Sequence, residues 1–350
     1  MEQPFVKIYF KTIIQGRLEF GTVKSFNKIY KMYTVRAESY YKNELIFTAE
    51  ELFDEDKLTL EIPRYVGQVS EKVYKNTASL LDYCAQFAVA GSIRSWMSDS
   101  GKIMHYNLME PTSDKAAVQS FLKGRKLVKV EGKEEEAIAA LTKAIEKYDR
   151  HAQAYERRAK VCFRMRNWHD AKRDYSKAIG IDPTIPTAYY GRAKVNMMNE
   201  DWQEAIDDFN HTLKKSIALQ SVYWKARRLK AECHLNLKQY EEAKFDLKLF
   251  SNRKFGHDDP NNMFKRWAKF KYADLLVDSG EALEAIKIYT EALEIEQFGP
   301  KDISDAEILR QRGIARKEAG KSGHVKDLKD AIKLGDKKAQ GILSDWSKSR

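Results

Sequence analysis

The sequence predicts an α+β protein, with a small β-rich N-terminal domain followed by an all-α array of stacked helix pairs. Three observations carry this. Residues 132–149, 167–183 and 201–217 superimpose, with Ala137, Ala171 and Ala205 spaced 34 residues apart. A fixed period of that length marks stacked supersecondary units. Residues 1–110 lack the period and instead hold short β-branched and aromatic runs between turn signals. The composition is that of a folded chain: 43% hydrophobic and 11% aromatic, with 17 glycines and 7 prolines in 350 residues. It is too apolar for disorder and too poor in chain breakers for long linkers.

Taken in order, residues 5–14 mix β-branched and aromatic side chains and predict a strand. Residues 28–36 read as a second strand, and 44–48 and 58–62 as two short ones. Between them Thr48 is placed to cap one helical turn, facing Glu51 three residues on. Residues 70–90 read either as a helix through Leu80, Leu81, Cys84 and Phe87 or as a strand over 83–89. Residues 92–97 and 102–108 flank Ser98-Asp99-Ser100-Gly101, which is hairpin chemistry. Pro111 ends the last strand, and Ser113 or Asp114 is the expected cap of the first helix, so the domains are expected at 1–112 and 113–350.

In the helical part, Leu141, Tyr175 and Phe209 follow the marker alanines by four residues. Each repeat opens with an earlier helix, holding Tyr155, Ala159 and Cys162 in one unit and Tyr189, Ala193 and Asn196 in the next. Spacings of four and three put these on one face. Pro183 follows the second helix where it must stop. This pattern resembles the tetratricopeptide repeat family over roughly residues 115–345. Residues 152–185 and 186–219 match over full repeats, and 117–151 matches with Gly124 as its small residue. Beyond Ala205 the spacing stretches by 38 to Ala243 and by 42 to Ala285, with an insertion at 251–262. A sixth, degenerate unit spans 305–334, and 339–346 is the expected terminal helix. The resemblance implies a right-handed superhelix of five or six pairs, whose first helices line a concave groove that binds peptides or partner domains.

The charge sits with the repeats. Residues 1–110 hold 14 basic and 14 acidic side chains, so the whole net charge of +11 belongs to the remainder. The repeat phase points Arg125, Lys129, Arg157, Lys160, Arg164, Tyr190, Lys194, Met197, Lys225 and Arg228 into the groove, with Glu232 interrupting the series. Concave surfaces focus such charge, and an acidic peptide or partner domain is the expected ligand. The basic clamp with which some of these repeats grip the acidic terminus of heat-shock chaperones is not matched: Arg125 and Arg157 stand where its asparagines belong, and Thr187 and Gly191 where its third-repeat cations belong. Trp267 and Phe270 form a candidate aromatic partner surface if nothing covers them.

No glycine-rich phosphate loop, dinucleotide fingerprint or nucleophile elbow occurs, and the seven histidines lack metal-ligand spacing. No cofactor, metal or catalytic residue is therefore expected. Cys84, Cys162 and Cys233 are isolated, there is no long apolar run, and the first ten residues lack a secretory pattern, which fits a cytoplasmic protein. The leading expectation is a non-enzymatic scaffold, adaptor or component of a larger assembly. RNA binding by the basic surface is one alternative, although no RNA-recognition motif accompanies it. A catalytic N-terminal domain is the other. Residues 57–68 resemble the strand and proline loop of the prolyl-isomerase domain that immunophilins join to helical repeats.

Overall fold

A computed structural model describes residues 8–296 and 303–348 of the chain. The first three residues of the expected 5–14 strand, up to Lys7, and most of the stretch read for a secretory pattern lie outside them. The chain divides into two compact units, Met1–Val195 and Asn196–Arg350.

The first unit opens with β1 (Tyr9–Glu19), α1 (Val23–Ser39), α2 (Ala49–Leu52), β2 (Phe53–Asp54), β3 (Thr59–Ser70), α3 (Glu71–Phe87), β4 (Ala90–Asp99) and β5 (Lys102–Met109). The strands form one antiparallel sheet in the order β2-β3-β1-β4-β5. β1 lies at its centre and is buried on both faces. Alternate residues Ile14 and Leu18 join Ile93 in a core with Phe26, Ile29 and Tyr33 of α1 and Leu80, Leu81 and Cys84 of α3. The alternation sends Arg17 and Glu19 to the opposite face, where they too are buried. Gly16 is required at the β1–β4 contact: its φ is +144°, and an added Cβ would lie 2.2 Å from the carbonyl oxygen of Ser92.

Two expected strands are absent. Residues 28–36 belong to α1, because Phe26, Ile29 and Tyr33 recur at helical spacing and are buried on one side. Thr22 starts that helix by accepting a hydrogen bond from the Ser25 amide at 3.2 Å. Residues 44–48 are irregular. Side chains satisfy their backbone in place of a ladder: Thr77 Oγ1 accepts from the Ile46 amide at 3.0 Å, and the Tyr33 hydroxyl donates to Phe47 O at 2.9 Å. Residues 71–87 adopt the helical reading, with Ser70 as N-cap. The Thr48–Glu51 cap and the hairpin form as expected, with Gly101 at φ +81° in the turn.

The same unit continues with α4 (Ala116–Leu127), α5 (Glu134–Lys147), α6 (Ala152–Arg164) and α7 (Trp168–Ile181), each packed on the next, and with the start of α8 (Pro186–Met198). Lys115, not Ser113 or Asp114, precedes α4; the Ser113 carbonyl instead accepts from Gln119 at 2.7 Å. The small residues let large ones in. A Cβ on Gly124 would fall 2.6 Å from Leu141, and one on Gly191 would fall 2.1 Å from the Tyr175 ring.

The second unit stacks α9 (Trp202–Lys215), α10 (Ser221–Asn236), α11 (Tyr240–Asn252), α12 (Lys265–Asp278), α13 (Ala282–Leu293), α14 (Asp305–Glu318), α15 (His324–Lys333) and the terminal α16 (Lys337–Lys348). The insertion before α12 is pinned. Asn261 is fully buried, and its amide donates to the Ser221 carbonyl at 3.3 Å and hydroxyl at 3.1 Å. Trp267 and Phe270 are 6% and 1% exposed, in a core with Leu247, Phe250 and Tyr289. They do not form the exposed aromatic surface that the sequence offered: α11 and α13 close over their helix. No helix among the described residues is long and apolar enough to cross a membrane.

Candidate partner-binding surface

In the first unit α6 and α8 bring three of the expected groove residues near one another: Arg157 and Tyr190 lie within electrostatic range of the Tyr175 hydroxyl, and Lys194 lies beside Tyr190. Tyr175 of α7 is buried, and Gly191 leaves the space its ring fills. Burial pushes the Tyr175 hydroxyl well up, Glu156 adds to this, and Arg157 opposes it, with Tyr190 also within electrostatic range. Lys194 lies with its Nζ 4.0 Å from the Phe163 ring centroid and 6.0 Å from that of Tyr190. Such cation–π contacts hold the ammonium in place without discharging it. Arg157, Tyr190 and Lys194 thus share one neighbourhood, with the buried Glu156 3.1 Å from Arg157 Nε.

The other basic candidates have different fates. Arg125 is ion-paired with Glu110. Arg164 donates to the Val128 carbonyl at 2.8 Å and pairs with Glu134 at 3.2 Å. Lys129 and Lys160 are exposed. Met197, Lys225 and Arg228 belong to the second unit, where the first two are half-buried. Arg228 is only 6% exposed, stacks 3.7 Å over the Phe264 ring and pairs with Glu232. The acid that interrupted the basic series therefore neutralises its neighbour, because a charge so poorly hydrated needs a partner.

Sequence reasoning missed a polar ladder that consumes further cations. Arg158 holds Asp174 through two bonds of 2.7 and 3.0 Å and reaches Thr142 of the preceding pair at 2.9 Å. Arg312 repeats this in the second unit, holding Asp327 at 2.9 and 2.8 Å and Thr290 of the preceding pair at 3.1 Å. Arg227 and Lys230 share Asp246, and Lys230 reaches Asn210 at 3.1 Å. The signal was present: Asp174, Asp208 and Asp246 each stand three residues after a marker alanine, and all three are buried.

A second missed feature joins the sheet to the first repeats. Glu19 of β1 accepts from Arg17 at 2.8 Å, the Tyr148 hydroxyl at 2.8 Å and Arg150 at 3.4 Å. Gln153 accepts from the Gly91 amide at 3.2 Å. Burial pushes the Tyr148 hydroxyl upward, and the Glu19 carboxylate adds to it. Asp182 is fully enclosed nearby and is raised by burial, although both Thr184 donors and the cations Arg17 and Arg94 oppose the shift. No sequence period links residues 129 and 131 positions apart, so nothing in the chain announced these bonds.

The N-terminal domain also carries a polar cleft of about 530 Å³ between α3 and β5. Nε2 of His105 is 2.9 Å from Glu71 Oε1. The Ser95 hydroxyl bonds Tyr74 at 2.9 Å, and Asn107 donates to that tyrosine at 2.9 Å. Ser95 is thus tied to Tyr74 and Asn107 rather than to the histidine. The three cysteines are free and buried, and burial pushes the Cys84 and Cys233 thiols up to about 12, so neither is a ready nucleophile.

Residues 158–216, which hold Ala171 and Ala205, match the tetratricopeptide repeat family model. The match does not reach the first 112 residues. No curated protein sequence matches the chain. Among solved structures, YrrB, a TPR protein with an unusual peptide-binding site, is 22% identical over 60% of this chain and 98% of its own, with a TM-score of 0.48. PilF of Pseudomonas aeruginosa is 17% identical over 66% of this chain and 98% of its own, with a TM-score of 0.47. The first TPR of Spaghetti (RPAP3), bound to the HSP90 peptide SRMEEVD, is 22% identical over 36% of this chain and 99% of its own, with a TM-score of 0.33.

Proposed function

We propose that the chain is a non-enzymatic interaction scaffold, with residues 1–112 as one domain and 113–350 as a helical domain that holds an acidic segment of a partner protein. The grouping of Arg157 and Tyr190 at Tyr175, with Lys194 beside Tyr190, carries this reading. A guanidinium can grip a carboxylate through two parallel hydrogen bonds, and a nearby ammonium adds a second point charge. The tyrosine supplies a flat apolar surface with a polar tip, the kind of side chain that anchors interfaces.

The test is a capture experiment with the intact chain and with an Arg157→Glu/Lys194→Glu variant that keeps its helical circular dichroism. Partners lost only with the variant, and carrying acidic stretches, are the expected result. An unchanged partner set would defeat the proposal, and recovery of RNA with salt-sensitive affinity would replace it with the nucleic-acid reading.

A further inference from the structure

More than half of the chain's net charge lies in its last helices. Residues 310–348 hold 11 basic and 5 acidic side chains, a net +6 of the chain's +11. The fold withdraws part of the compensation that the sequence offers there. Asp327 is buried and held by Arg312 and Arg316 of α14, each at 2.8 Å. Asp336 is held by Arg310 at 2.9 Å, and its other oxygen accepts from the Lys338 and Ala339 amides. On α15 that leaves Asp330, which pairs with Lys333 at 3.0 Å on the surface, a contact of small strength.

The remaining lysines are arranged. Lys326, Lys329 and Lys333 stand three and four residues apart and are exposed, so they form one stripe along α15, opposite the buried Leu328 and Ala331. Lys337 and Lys338 follow across the turn and are also exposed, in the first turn of α16. A cation in that position opposes the helix dipole, and no acid shares the turn with them. A local choice that costs stability is the kind found at functional sites. Between the two groups Leu334 ends α15 and is 58% exposed.

The chemistry of this surface separates its candidate ligands. Nucleic-acid sites draw on arginine forks and open aromatic faces. Here Arg310, Arg312 and Arg316 are committed to carboxylates, and the Trp346 ring carries Lys317 4.0 Å from its centroid. Protein interfaces are poor in lysine and centre on aromatic or arginine anchors. An anionic membrane asks for what is present. Several lysines reach the head groups on flexible stems, and an apolar side chain among them enters the acyl boundary. We propose that the turn between α15 and α16 docks on an anionic phospholipid surface. Lys326, Lys329, Lys333, Lys337 and Lys338 meet the head groups, and Leu334 inserts. Such a contact is peripheral and reversible. It shares no residue with the basic surface on α6 and α8.

Co-sedimentation of the full chain with phosphatidylcholine vesicles, with and without about 30% phosphatidylserine, tests this. The chain should follow the anionic vesicles alone, and less so as salt rises. Lys326→Glu/Lys329→Glu and, separately, Leu334→Ser should each bind them about tenfold more weakly. All three positions are exposed, and matching thermal melts check that the variants fold. If the melts differ, lysine acetylation of the unmodified chain decides: anionic vesicles should shield Lys326, Lys329 and Lys337. Equal sedimentation with neutral vesicles, Leu334→Ser binding as tightly as the unmodified chain, or unshielded lysines would overturn the proposal. So would an oligouridylate that displaces the chain from the vesicles; that result assigns the lysines to nucleic acid.

Discussion

His151 shows how a single buried group sets a pH response. It is 2% exposed, its ring centroid lies 4.6 Å from that of Phe121, and burial pushes its imidazole down to about 3. Above pH 6.5 the ring is neutral both folded and unfolded, and its full contribution is present. As pH falls from 6.5 toward about 3, the unfolded chain takes up a proton that the folded chain refuses, so stability is lost at up to about 1.4 kcal/mol per pH unit. Denaturant unfolding between pH 6.5 and 5 should therefore show a slope that His151→Asn flattens; an unaltered slope would remove the histidine from the account. Gly16 is the steric counterpart. Gly16→Ala drives a Cβ to 2.2 Å from backbone at a φ of +144°, and should cost more than about 3 kcal/mol or abolish the sheet's near-UV signal. A loss below about 1 kcal/mol would mean that the two strands can separate there at little cost.

At the scale of elements, the repeats were legible because packing imposes a period. The marker alanines, the aromatics four residues on and the punctuating Pro183 all follow from helices that must approach closely and stop. The N-terminal helices were less legible. α1 carries β-branched and aromatic residues that favour strands, and only the burial of Phe26, Ile29 and Tyr33 on one face decides for helix. The aspartate ladder sat in the same period, three residues after the marker alanines, but was not singled out from the sequence. Its energetics are testable at Arg158 and Asp174, whose side chains are 16% and 2% exposed. Asp174→Ala should destabilise by about 3–5 kcal/mol, because it strands a poorly hydrated guanidinium, while Arg158→Met/Asp174→Leu should recover most of that loss. A double variant as unstable as the single one would show that the pair stabilises the helix stack directly.

For the whole molecule, surface charge and its placement mattered more than the total. The +11 of the repeat region suggested a basic groove interrupted by Glu232. Pairing instead diverts Arg125 to Glu110 and Arg164 to Glu134, across elements where local periodicity says nothing, and Arg228 to Glu232 one helical turn on. What lies together is the smaller set of Arg157, Tyr190 and Lys194 near Tyr175 and Phe163. The direct test is fluorescence anisotropy of a labelled glutamate-rich peptide titrated with the intact chain and with Arg157→Glu/Lys194→Glu, at low and at physiological salt. The account predicts saturable binding that weakens with salt, as partly exposed ion pairs do, and a loss of at least about tenfold in the variant, equivalent to about 1.4 kcal/mol. Equal affinity for both proteins, or no binding to either at low salt, would contradict it.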